Sequence, residues 1–351
     1  MERLAPYTTL GLGGPASDFA EAETAEQLVS LIAEADRQGR PTLVLGGGSN
    51  LVVADEGFDG LVVRVVTQGV SVSRDGDEAL LTVEAGEDWD ALVVRAVAEG
   101  WSGIECMSGI PGLVGSTPIQ NVGAYGQEVA QTIRCVRAYD RRTRQVVDLE
   151  ARQCGFSYRD SAFKRDLSRH VVLGVTYALD ISQESGPIAY QELAGRLGVE
   201  QGARVPLAAA REAVLELRRG KGMVLDPADP DTRSAGSFFT NPILSADEAG
   251  DLAARAPGHP RWDMPGDSVK VPAAWLIEQA GFPKGYGRGP VRISTKHTLA
   301  LTNPTGEGST ADLLALAREV RDGVREKFGV TLVNEPVMVG CALEEPAAVD
   351  G

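Results

Sequence analysis

Histidine is scarce. The 351 residues hold three, His170, His259 and His297. That leaves little room for a histidine-built metal cluster, and no H-E-x-x-H segment occurs. Cysteine is also rare, with four residues, Cys106, Cys135, Cys154 and Cys341. None forms a C-x-x-C pair, so zinc-ribbon and thioredoxin readings have no support. No run approaches the ~18 consecutive apolar residues of a membrane span. The opening MERLAPYTTL has no apolar signal-peptide core. Positive charge is in deficit, with 34 Lys+Arg against 49 Asp+Glu and a net charge of −15. That sign argues against broad binding to nucleic acid or anionic lipid. A few buried Arg or Lys residues can still hold a small anion. A Walker-type phosphate loop is missing too. Together these deficits predict a cytoplasmic protein with free thiols and no metal, nucleic-acid or membrane partner.

Glycine is in excess, with 41 residues, well above the ~7% of ordinary usage. Without a collagen period, such an excess points to loops with special backbone angles or close ligand approach. The remaining composition is ordinary for a globular chain, and the length suits two to three domains. Local signals predict helices over Thr24 to Gly39, Asp88 to Ala98, Leu207 to Arg219, Ser245 to Ala256, Pro272 to Ala280 and Thr310 to Phe328. Strand-like runs lie at Thr42 to Leu45, Leu51 to Val53, Leu61 to Val66, Cys135 to Asp140, Gln145 to Leu149, Val171 to Leu179 and Val337 to Val339. Val70 to Ser73 and Leu80 to Val83 flank Asp75-Gly76, a hairpin dipeptide. The mixture predicts an α+β fold, with Asp226 to Ser234 as an interdomain linker and a small acidic tail at the end.

Three stretches are rich in glycine. Gly11 to Ala16 matches G-x-G-x-x-A, but a dinucleotide turn requires a strand before it and a helix after it. Neither is evident, and Pro15 interrupts, so an ordinary entry loop is expected. Leu45-Gly46-Gly47-Gly48-Ser49-Asn50 lies between two β-like runs. Its glycines allow successive N–H groups to aim into one concavity, a nest for phosphate oxygens, and Ser49 and Asn50 add side-chain donors. A plain tight turn is the alternative for that loop taken alone. Gly103 to Gly126 holds six glycines and two prolines, with Glu105 its only charge. It is too irregular for one element and too apolar for a solvated loop. It should therefore wind through the interior beside groups that satisfy its backbone. Two such loops favour a dinucleotide held between β-rich subdomains.

Gly109 to Gly126 with Leu45 to Asn50 resembles the FAD-binding half of the UDP-N-acetylenolpyruvoylglucosamine reductase family, MurB. Further motifs follow in order: Phe156 to Ser161, Ala235 to Pro242, Ser268 to Ile277 and Asn334-Glu335-Pro336. The similarity runs from about Tyr7 to Gly340. It implies two FAD-binding subdomains of the vanillyl-alcohol-oxidase type, expected over 1–70 and 71–226, the second with a substrate loop near Tyr190. A C-terminal α+β substrate-binding domain is expected over 227–351, its last strand and tail allowed to return to the first subdomain.

The implied reaction uses NADPH to reduce non-covalent FAD. Hydride then passes from flavin N5 to the enolpyruvyl methylene of UDP-N-acetylglucosamine enolpyruvate, giving UDP-N-acetylmuramate, a peptidoglycan precursor. The resemblance assigns FAD contacts to Leu45, Gly46, Gly47, Gly48, Ser49, Asn50, Gly109, Ile110, Pro111, Gly112, Gly115, Ser116, Thr117, Pro118, Gln120, Asn121, Gly123, Ala124 and Tyr125. Three residues take catalytic roles. Arg159 would bind the substrate carboxylate, with a salt bridge to Asp160 as the alternative. Ser237 would protonate the adjacent carbon. Glu335 would share a proton with the substrate, because like charges in one site raise a pKa. Tyr190, Lys221, Asn241 and His297 would contact substrate, with a buried core position as the alternative for Tyr190. Two rival functions share the flavin fold: another sugar or lactone oxidoreductase, and a non-catalytic flavin or UDP-sugar sensor.

Overall fold

The computed structural model describes residues 1–344; residues 345–351, which hold most of the expected acidic tail, lie outside the described residues. The fold is α+β. The chain forms two compact units. One comprises Met1, Ala16–Gly47 and Asp59–Val224; the other comprises Glu2–Pro15, Gly48–Phe58 and the chain from Leu225 onward.

In the first unit, helix α1 spans Ala25–Arg37. Thr24 caps it by accepting from the Gln27 N–H at 3.1 Å, which satisfies one of the orphan amides of the first turn. Its buried stripe, Leu28, Ile32 and Ala35, packs with Leu61, Val63, Tyr139 and Leu173. Strands Pro15–Ala22, Phe58–Val65 and Thr42–Leu45 neighbour each other in that order. The first of these was not expected, because PASDFAEA is too polar to read as a strand. The G-x-G-x-x-A stretch therefore runs into a strand instead of a helix, which removes the dinucleotide-turn reading.

A larger antiparallel sheet follows, in the order Gln145–Glu150, Ile133–Asp140, His170–Ile181, Glu78–Glu84, Val70–Asp75. The expected hairpin forms, but its two-residue turn is Gly76-Asp77, with Gly76 at φ 60°, because Asp75 still pairs with Glu78. Helix α2, Trp89–Glu99, is capped by Asp88 and stopped by Gly100 at φ 73°. It buries Trp89, Leu92, Val93 and Ala96 against Leu81, Val83, Val136 and Tyr177. Each fully buried aliphatic side chain there stabilises the unit by about 1.5–3 kcal/mol. Short helices α3, Thr117–Gln120, and α4, Ala162–Arg165, precede α5, Gln191–Leu197, and α6, Leu207–Gly220. The loop expected near Tyr190 ends at that residue, because α5 starts at Gln191.

The second unit holds α7, Ala246–Arg255, α8, Ala273–Gln279, and α9, Thr310–Phe328. Ser245 and Glu248 form the capping box their spacing predicts. Leu313, Ala317, Val320, Val324 and Phe328 of α9 enter a core with Leu276, Ile277 and Phe239. Strand Val337–Val339 runs parallel to Leu51–Val53. The chain crosses from the first unit to the second at Leu225, directly before the polar stretch Asp226 to Ser234, which is itself tied down within the second unit. Asp231 is buried and accepts from Thr295, and Lys296 pairs with Asp229 at 2.6 Å. Its charges face partners far along the chain, which local composition does not reveal.

Candidate active site

Along the first glycine loop, the residues up to Gly47 belong to the first unit and those from Gly48 to the second. Within the first unit it packs backbone against backbone. A Cβ on Gly47 would lie 2.8 Å from the Gly112 Cα, and one on Gly46 would lie 2.8 Å from the Ser116 Oγ. Within the second unit Gly48 sits at φ 60°, where a Cβ would meet the Tyr7 carbonyl oxygen at 1.8 Å. All three glycines are thus required for close approach, and Gly48 for its backbone angle as well. Leu45 is buried, Ser49 is half-buried, and the Asn50 Nδ2 is enclosed without a partner among the described residues.

The long glycine segment does wind through the interior, and its backbone groups can be traced. Gly112 O accepts from the Trp89 N–H at 3.1 Å, and the Gly115 N–H donates to Ala85 O at 2.9 Å. The Gly109 N–H donates to Asp90 at 2.6 Å. Asp90 is itself clamped by both terminal nitrogens of Arg211, at 2.7 and 2.8 Å. Arg218 Nη2 reaches Gly109 O at 3.3 Å and Met223 O at 2.7 Å. Gly109 is therefore held at its amide by α2 and at its carbonyl by α6, with Ile110 and Pro111 following. Burial pulls the Arg218 pKa down to about 10, and its Nε has no hydrogen-bond partner among the described residues. Sequence reasoning missed Arg218. It stands three residues before Lys221, and only the lysine was expected to be functional.

Further along, Pro118 is buried in the first turn of α3. The Thr117 hydroxyl bonds Val114 O at 2.9 Å and lies 2.7 Å from the Tyr177 hydroxyl. Gln120 accepts from Lys164 at 3.0 Å. Asn121 donates to Glu128 and to Ser157 O, both at 2.9 Å. These side chains hold the loop's own framework. Gly123–Ala124 pairs with Gln127–Glu128 as a short hairpin, and Tyr125 sits in its turn.

Arg159 donates to Asn121 O at 3.3 Å and to Gly123 O at 2.6 Å. Its own φ is 54°, beside 44° for Asn121 and 49° for Tyr125. Left-handed backbone at three non-glycine residues of one neighbourhood costs energy and is typical of functional sites. Asp160, the alternative partner, is bridged by Arg165.

In the second unit, Ser237 and Glu335 lie on adjacent segments. The Glu335 N–H donates to Phe238 O at 2.8 Å, and the Phe238 N–H donates to Leu299 O at 2.7 Å. Phe239 bridges Asn334. Gly236 at φ 72° turns the chain just before Ser237. Phe238 and Phe239 are buried and meet edge to face at 5.1 Å. The side chains flanking Ser237 on its C-terminal side are therefore dry. Asn241 accepts from the Ala273 N–H at 2.9 Å, which caps α8. The His297 N–H donates to Ser294 Oγ at 3.2 Å, placing it in the turn before Ala300–Thr302.

Tyr190 is 45% exposed, which removes the core alternative. Its ring stands perpendicular to Tyr125 at 5.6 Å. Lys221 Nζ lies 5.6 Å from the Tyr125 ring centre and pairs with Glu192 at 2.6 Å. Burial raises both tyrosine pKa values, that of Tyr125 to about 12. Both phenols therefore stay neutral hydrogen-bond donors at physiological pH.

The residues suit a dinucleotide such as FAD. Asn50 Nδ2 in the second unit and Arg218 Nε in the first are enclosed donors, each lacking an acceptor among the described residues and each in or beside a glycine loop; a diphosphate and an oxidised ring system supply acceptors. Residues 16–147 match a family model described as FAD binding domain. Residues 227–339 match UDP-N-acetylenolpyruvoylglucosamine reductase, C-terminal domain. The chain is 58% identical over 352 residues to the UDP-N-acetylenolpyruvoylglucosamine reductase of Thermobifida fusca, covering 97% of each. It is 55% identical to that of Streptomyces coelicolor, covering 97% of this chain and 90% of that one. The crystal structure of MurB from Thermus caldophilus superposes with a TM-score of 0.62 at 25% identity, covering 96% of this chain and 97% of that one. Glycine loops, a strained arginine, and Ser237 and Glu335 on adjacent bridged segments thus occur in a chain that belongs to the UDP-N-acetylenolpyruvoylglucosamine reductase family.

Proposed function

We infer that this protein is an FAD-dependent oxidoreductase that uses NADPH to reduce UDP-N-acetylglucosamine enolpyruvate to UDP-N-acetylmuramate, in the cytoplasm. When bound, FAD supplies two-electron carriage, receiving reducing equivalents from NADPH and delivering them to the terminal methylene of the enolpyruvyl group. The protein's own residues must then handle the charge that develops on the adjacent carbon and spreads into the carboxylate.

Arg159 meets that demand with a guanidinium that stays charged when buried and can grip a carboxylate with two parallel bonds. Its fixed aim, set by the Asn121 and Gly123 carbonyls, supplies preorganised stabilisation of developing negative charge. Ser237 gives its hydroxyl proton to the carbon. A serine is a weak acid and serves only opposite a strongly basic centre, which the dry Phe238 and Phe239 surroundings favour. Glu335, on the neighbouring segment, shares a proton with the substrate carboxylate. Lys221 takes an anionic group of the substrate, Tyr190 closes on it, and Asn241 and His297 add polar contacts. Asn50 and Arg218 donate to the cofactor along with the backbone of the two glycine loops.

The observation that carries this reading is Arg159, held at a left-handed backbone angle with its guanidinium on two carbonyls of the glycine segment. A structural arginine has no need of that strain. The test is NADPH oxidation by the purified holoprotein with and without UDP-N-acetylglucosamine enolpyruvate. Turnover dependent on the enolpyruvyl sugar is expected. Turnover with aldoses or lactones instead, or none with any acceptor, would support the rival oxidoreductase or sensor.

A further inference from the structure

Glu105 is fully buried, although it is the sole charge in the glycine segment. Its carboxylate accepts three hydrogen bonds. Oε2 takes the Gly103 N–H at 2.7 Å. Oε1 takes Gln127 Nε2 at 2.9 Å and the Gly186 N–H at 2.9 Å. Gln127 Oε1 in turn accepts the Cys106 N–H at 2.7 Å, closing a small ring of bonds. Enclosing a carboxyl group is costly unless it is fully hydrogen-bonded. A backbone amide could have been satisfied by any carbonyl, so folding alone does not explain a carboxylate here.

What the three donors have in common is where they lead. Gly103 opens the glycine segment. Gln127 pairs with Ala124 across the hairpin whose turn carries Tyr125. Gly186 opens the stretch that ends at Tyr190, and its stem is held by Ser185 N–H to Val205 O at 2.7 Å and Ile188 N–H to Ala203 O at 2.9 Å. The Tyr125 hairpin and the Tyr190 stretch therefore hang from one carboxylate. They meet again at their tips, ring against ring at 5.6 Å. The hairpin's Gly126 lies so close to the stretch that a Cβ there would come within 3.1 Å of the Ala189 Cβ.

The two ends of this contact differ in kind. At the tip, Glu192 and Lys221 form an ion pair whose side chains are 41% and 32% exposed. Such pairs are worth little and exchange readily. At the base, Glu105 is dry and triply bonded, and truncating one partner of a buried charge-assisted bond is expensive. One end can release Lys221 to an anionic ligand while the other keeps its register.

We propose that Glu105 is a positioning residue for substrate closure, holding the Tyr125 hairpin and the base of the Tyr190 stretch in one frame so that Tyr190 closes at a set height above Tyr125. The proposal rests on the reading that Tyr190 closes on substrate. Glu105 itself touches no reactant.

The test is a double-mutant cycle on the holoenzyme with E105Q, Y190A and the pair. E105Q keeps the volume but turns one acceptor into a donor facing an N–H. It is expected to raise KM for the UDP-enolpyruvyl sugar about tenfold, the scale of one lost bond to a charged group. The anaerobic rate of flavin reduction by NADPH is expected to stay within about twofold. In the Y190A background, E105Q is expected to add less than about twofold, because residues acting through one another are not additive. Amide exchange over residues 184–193 should also quicken in E105Q. Q127L, which detaches the hairpin and leaves the Gly186 bond, is expected to give the same KM signature and serves if E105Q folds poorly. Additive effects on KM, an unchanged KM in E105Q and Q127L, or equal losses in both half-reactions would each overturn the proposal. If Y190A alone leaves KM unchanged, the closure reading fails first and this proposal with it.

Discussion

Arg159 Nη2 donates to the carbonyl of Gly123 at 2.6 Å. That bond ties the proposed electrophile to the glycine segment and fixes the plane of the guanidinium. Lysine keeps the charge but has neither the fork nor its planar aim. Arg159→Lys is therefore expected to lower kcat about 10²–10³-fold, the range for losing a preorganised stabiliser of developing charge. Steady-state kinetics with the enolpyruvyl sugar check this. A loss under about threefold would show that charge alone suffices.

Ser237→Ala should separate the half-reactions. NADPH-driven reduction of the flavin needs no proton on the substrate carbon and should run at nearly the parent rate. Reoxidation by the enolpyruvyl sugar should slow by ~10²–10⁴, as for a lost general acid. Stopped-flow absorbance at the flavin band reads both steps. Equal slowing would instead point to displaced flavin.

Tyr190→Ala should raise KM more than it lowers kcat, since a closing residue makes contacts in ground and transition states alike. At 45% exposure, its removal should barely move the melting temperature of the ligand-free protein. A buried aromatic would cost ~3–5 kcal/mol. An unchanged KM with a large fall in melting temperature would contradict the assignment.

FAD should leave the protein completely on acid precipitation, because the structure supplies hydrogen-bond donors for it and the reading requires no covalent link. Arg218→Lys removes the partnerless Nε while keeping a cation near Gly109. It should weaken FAD binding about tenfold, the scale of one charge-assisted bond. Fluorescence titration of the stripped protein measures this. Parent-like affinity would place Arg218 outside the cofactor site.

Asp140 offers a pH test away from the site. The hydrogen bonds from Arg169, followed by the backbone amides of Arg142 and Thr143, hold its pKa down at about 2. A depressed carboxylate stabilises the fold above its unfolded pKa of roughly 3.9. That stabilisation is lost as pH falls through the folded value. Asp140→Asn should therefore lower the melting temperature at pH 7, and its gap to the parent should shrink between pH 4 and 2. A gap constant over that window would mean that the carboxylate charge is not what the bonds stabilise.

Short-range physics was legible in the chain itself. Thr24 with Gln27 and Ser245 with Glu248 announced helix starts because a cap is completed within three residues. Asp75-Gly76 announced a hairpin because a two-residue turn demands positive φ. The run from Gly103 to Gly126 disclosed that it must be interior, since it had too few charges for solvent and too many glycines for a regular element. The order of motifs disclosed the family and its FAD. Tertiary structure alone decided the partners. Glu105 meets Gly186 across 81 positions, and Arg218 meets Gly109 across 109. No local pattern encodes such pairs, because a buried polar atom is satisfied by whatever the fold brings beside it. For the same reason the sequence left Tyr190 open between core and surface, and gave Asp226 to Ser234 the look of a linker. Burial depends on what packs against a residue, and that is settled only when distant segments close around it.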